Sequence, residues 1–82
     1  MDRLPKSKRI GQQLREWREA CELTLDDVAD ELHLSQTVLV GIESGLIRTP
    51  EDLLKSFADI YEIAEEELKN FISSLIVEDS ES

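Results

Sequence analysis

Residues 23–45, LTLDDVADELHLSQTVLVGIESG, decide how this chain folds. Thr24 offers an N-cap oxygen with Asp27 three residues on, a weak form of the capping box, and Val28, Ala29 and Leu32 mark one apolar face behind it. That spacing predicts a helix over about 25–32. His33 breaks the pattern, and Ser35 supplies a second N-cap ahead of Val38, Leu39 and Ile42. A helix is therefore expected over about 36–43, closed by Gly45, a residue suited to the left-handed backbone at the end of a helix. Two short helices are thus separated by a three-residue turn.

The flanks read the same way. Ile10, Leu14, Trp17 and Cys21 recur at steps of four, three and four, which predicts a helix over roughly 7–21 with one buried stripe. Cys21 is expected to act there as a small inert hydrophobe. Thr49-Pro50-Glu51-Asp52 places a capping hydroxyl, a proline at the first helical position and two acids in the first turn, so a fourth helix is expected until about residue 62, with Leu53, Leu54, Phe57, Ala58 and Tyr61 on its apolar side. A fifth begins in the acidic run 65–67, and Leu68, Phe71, Ile72, Leu75 and Ile76 form its stripe. The expected organisation is a flexible basic arm (1–6), an all-α five-helix domain (7–77) and a disordered acidic tail (78–82).

Eighty-two residues suffice for one domain around a single small core, not for a deep catalytic cleft. No nucleophile–base pair, phosphate loop or ligand cluster is visible, so neither an enzyme nor a cofactor or metal site is expected, and lone His33 reads as a turn residue. No apolar run is long enough to span a bilayer and no leader pattern is present; the expectation is a soluble, cytoplasmic protein without a membrane partner. The net charge of −10 is unevenly spread: residues 1–18 carry +4 and the rest −14. A basic first helix facing a polyanion, with acidic helices turned away, is compatible with that polarity.

The helix pair 25–32 and 36–43 inside a five-helix chain is the helix-turn-helix layout. Over about residues 10–72 the chain resembles the Xre-type, lambda-repressor-like (Cro-type) domains, through Ile10-Gly11, Leu14 and Arg18, Leu23-Thr24, Val28-Ala29, Leu34-Ser35, Leu39, Ile42-Glu43, Gly45, Pro50, Ala58, Ile63 and Leu68. The resemblance implies a structural ion pair between Arg18 and Glu43. It also implies that the first, second and sixth residues of the recognition helix, Gln36, Thr37 and Gly41, face bases in the major groove of double-stranded DNA, with Ser35 and Val40 on the same surface. Phosphate contacts are expected from Arg9, Arg48, the Thr49 amide and the arm residues Arg3, Lys6 and Lys8. The function implied is a transcriptional regulator acting as a homodimer, with Phe71, Ile72, Leu75 and Ile76 as the seam.

The chain departs from that pattern at four surface positions. Leu25 replaces a common glutamine, Val40 a polar residue, and Leu46 and Ile47 polar or basic ones. If exposed, these four form an apolar patch of the kind that marks protein contact. The alternative is therefore a protein-interaction module on the same fold, a RodZ-like cytoskeleton-binding domain or an antitoxin-like subunit. Glu22 and His33 also stand where such domains commonly carry glycine.

Overall fold

A computed structural model describes the backbone of residues 5–80 and the side chains of residues 5–75. Five helices succeed one another in order: α1 (Lys6–Ala20), α2 (Leu25–Leu32), α3 (Gln36–Ser44), α4 (Glu51–Ile60) and α5 (Glu65–Ser80). No strand occurs among the described residues, and the all-α five-helix expectation holds.

The apolar stripes meet in one core. Leu14, Val28, Leu39, Ile42 and Phe57 are its fully buried centre, drawn from four helices. Gly11 explains how α1 and α3 approach so closely: a Cβ there would lie 2.5 Å from the carbonyl oxygens of both Ile42 and Glu43. Only a residue without a side chain lets the two backbones touch. Trp17 meets Phe71 edge-on at 5.7 Å between ring centroids, which fastens α5 to α1.

Local chemistry sets most boundaries. At α2 the capping box is complete: the Asp27 amide donates to Thr24 Oγ1 at 3.0 Å and the Thr24 amide to Asp27 Oδ2 at 3.1 Å. His33 closes that helix in the left-handed region at φ 57°. The Val38 amide donates to Ser35 Oγ at 3.2 Å, and Gly45 closes α3 at φ 84°.

Four expectations are corrected. Lys6 belongs to α1 rather than to a flexible arm, because Pro5 at ψ 152° is the N-cap and its carbonyl already accepts from Lys8 and Arg9. Cys21 is exposed: α1 ends at Ala20, and the turn through left-handed Glu22 carries residue 21 off the stripe. Its thiol instead donates to the Tyr61 carbonyl at 3.6 Å. Thr49 does not cap α4, since Pro50 at ψ 152° is not yet helical and the helix starts at Glu51; the Thr49 hydroxyl is buried with no partner among the described residues. Helix α5 continues to Ser80 instead of giving way at residue 78, no proline or glycine being there to stop it.

Candidate nucleic-acid interface

The helix pair α2–α3 is locked onto α1 from two sides. Besides the Gly11 crossing, Arg18 of α1 reaches Glu43 near the end of α3 through two hydrogen bonds, Nε to Oε2 at 2.8 Å and Nη2 to Oε1 at 3.2 Å. Arg18 Nη1 also donates to the Leu23 carbonyl at 2.9 Å, so one guanidinium ties α1, the segment before α2, and α3 together. Both side chains are largely buried, 12 and 7 % exposed. Hydrogen bonding to Glu43 raises the Arg18 pKa above its ordinary value, outweighing the opposing effect of burial.

With Leu39 and Ile42 turned into the core, the outward face of α3 carries Gln36, Thr37, Val40 and Ser44. Gln36 has a side-chain partner on the neighbouring helix: its Nε2 donates to Asp26 Oδ1 of α2 at 2.8 Å at the surface. Ser44 Oγ bonds back to the Gly41 carbonyl at 3.1 Å. Gly41, expected on the outward face, is buried; a Cβ on it would come within 2.5 Å of Ile47 Cδ1, so the Ile47 side chain lies over that point of the helix. The path of the loop causes this, as the amides of Leu46 and Ile47 both donate to the Gly41 carbonyl, at 2.9 and 3.0 Å. Ser35 is spent on capping.

The cations come from distant parts of the sequence. Ser7 Oγ donates to the Gly45 carbonyl at 3.2 Å, and the Lys8 side chain packs against Gly45 itself. The basic start of α1 therefore sits at the loop that carries Arg48. Lys6 and Arg48 line the same cavity, of about 490 Å³, with buried Thr49 between α1 and α4. Arg9 is partly buried in the same helical turn. Arg3 lies outside the described residues. On the α2 side, Asp26, Asp27, Asp30, Glu31 and Asp59 line an acidic groove, so the outward face of α3 has cations beyond one end and carboxylates beside the other.

The apolar positions divide. Val40, Leu46 and Ile47 are exposed, at 48, 84 and 38 %, whereas Leu25 is partly buried against the core. In α5, Leu75 is buried in its own chain and Phe71 packs on Trp17. Ile72 is partly exposed along a groove between α4 and α5, and the side chain of Ile76 lies outside the described residues. No helix among the described residues is long and apolar enough to cross a membrane. The pairing of Asp26 with Gln36 had no sequence signal; it depends on how α2 crosses α3.

Among known proteins, neither the curated sequences nor the solved structures hold a significant match. A family model described as a helix-turn-helix domain matches residues 9–71, about three quarters of the chain and all of the α2–α3 unit with its supports, and the chain belongs to that family.

Proposed function

We propose that the chain is a sequence-specific, double-stranded-DNA-binding transcriptional regulator that acts as a homodimer and carries out no catalysis. The observation that supports this most is the start of α3. Gln36 and Thr37 are exposed there on a helix held rigidly by the Gly11 crossing and the Arg18–Glu43 pair. A recognition helix needs that presentation, because base edges in the major groove are read by side chains at its N-terminal end. Lys6, Lys8, Arg9 and Arg48 would hold phosphates, and the partial positive charge at the start of α4 would add to them. Two copies would associate along α5, with Phe71 and Ile72 contributing to the seam and Leu75 supporting it from the core. Duplexes selected from a random pool by the full chain test this reading: Gln36→Ala should sharply reduce the preference among sequences, and Arg48→Ala should weaken all duplexes about equally.

A second reading has its own observation. Among the described residues, Val40, Leu46 and Ile47 are the exposed large hydrophobic ones, and they cluster on α3 and the loop after it. A protein-interaction module would use that surface. Loss of a retained protein partner in Leu46→Asp, with nuclease treatment making no difference, would favour this reading over the first.

A further inference from the structure

We infer that Val40 reads the 5-methyl group of thymine, so that the preferred half-site pairs an adenine opposite Gln36 with a thymine one or two base pairs away. The inference rests on the DNA-binding reading and specifies what that same face selects. Three observations carry it.

The first is the hydrogen bond that orients Gln36. Its Nε2 donates to the Asp26 carboxylate at 2.8 Å. Turning the amide over would set Oε1 against that carboxylate, so the amide has one favoured sense. Oε1 and the second Nε2 hydrogen stay available, one acceptor and one donor, which complement adenine N6–H and N7. Guanine offers two acceptors at the same edge and leaves Oε1 facing an oxygen. Asp26 acts here as a positioning residue.

The second is the chemistry of position 40. Val40 lies one helical turn beyond Gln36 and is 48 % exposed. Its two methyl groups carry no donor or acceptor, and among the bases only thymine brings an apolar group to the major-groove edge. Four residues of helix advance about 6 Å, and stacked bases are about 3.4 Å apart, so contacts from residues 36 and 40 fall on positions one or two steps apart.

The third is the closure of α3 beyond Val40. Gly41 is buried beneath Ile47, and Ser44 Oγ is turned back to the Gly41 carbonyl. The reading face is thereby limited to Gln36, Thr37 and Val40. Thr37 adds a methyl and a hydroxyl without disturbing the apolar character at 40.

The test uses the full chain and duplexes it selects from a random pool at low salt. Each thymine is then replaced singly by deoxyuridine, which keeps the pairing and removes the 5-methyl. The expected result is an adenine and a thymine at the stated spacing, with deoxyuridine at that one thymine weakening binding about 4-fold, the value of one buried methyl-sized group. Val40→Ala, a surface change, should bind the thymine and deoxyuridine duplexes alike. Asp26→Ala should relax the preference for adenine while keeping the deoxyuridine effect. Selected sites lacking the pair, indifference to deoxyuridine, or a thymine preference that survives Val40→Ala would overturn the inference and leave DNA binding standing. Failure to enrich any duplex would remove the DNA-binding reading, and the inference with it.

Discussion

Arg18 and Glu43, 25 residues apart in sequence, form a two-bonded ion pair that is almost closed to solvent. The pair joins the first helix to the end of the third. Deleting either member leaves the other as an uncompensated charge in the α1–α3 junction. Arg18→Ala or Glu43→Ala should cost about 3–5 kcal/mol, and the paired replacement Arg18→Met/Glu43→Leu clearly less than either alone. Urea unfolding monitored by circular dichroism measures this. Equal losses in the single and double variants would show that the pair is not coupled.

Gly11 makes a second, independent prediction. Alanine is the better helix former by about 1 kcal/mol, yet its methyl would lie 2.5 Å from two backbone carbonyls of α3. Backbone cannot rotate aside as a side chain does. Gly11→Ala should therefore destabilise by about 1–3 kcal/mol as the crossing opens, seen as a lower Tm. A rise in Tm would mean that α1 and α3 are not in contact there.

Glu22, His33 and Glu62 hold left-handed backbone at φ 58, 57 and 56°. Side chains with a Cβ are strained in that region, and glycine is not. Each change to glycine should stabilise the fold by about 0.5–1 kcal/mol. Gly45→Ala should do the reverse, since φ is 84° and the added Cβ would lie 2.7 Å from Lys8 Cα. Thermal melts of the four variants check both signs.

Tyr61 is the only tyrosine, is 3 % exposed, and has a hydroxyl with no partner among the described residues. Burial pushes its pKa well above the ordinary value, and the charge of Glu43 adds to the rise. A folded-state pKa above the unfolded one means that the stabilisation is complete below about pH 10 and falls as pH rises past it. Tyrosinate absorbance should therefore appear together with loss of helical signal. Tyr61→Phe, which removes an unsatisfied hydroxyl, should be neutral or stabilising by up to about 1 kcal/mol. A tyrosinate signal appearing while the helices remain intact would contradict this.

The sequence disclosed the features that depend on neighbours along the chain. Thr24 and Asp27 announced α2, and the alternation of buried residues announced each helix, because caps and stripes are local. Arg18 and Glu43 were legible only through resemblance to a known family, their spacing of 25 residues having no local meaning. Thr49 misled because a hydroxyl before Pro-Glu-Asp looks like a cap until the proline's own ψ is known. Gly41 and Ile47 misled for another reason: sequence does not reveal that the loop returns over the helix and covers the glycine. Asp26 was hidden because its partner lies ten residues on, across a turn whose geometry sets the distance.

The proposed engagement of DNA sets base edges against the exposed start of α3 and phosphates against the cations beyond the other end of that helix. It is tested most directly by titrating the full chain against a selected and a scrambled duplex at two salt concentrations. Base reading at α3 predicts tighter binding to the selected duplex, and the phosphate contacts proposed for Lys6, Lys8, Arg9 and Arg48 predict a log–log salt slope on the order of −4 per bound protomer. Equal affinity for both duplexes, with binding indifferent to salt, would contradict the claim.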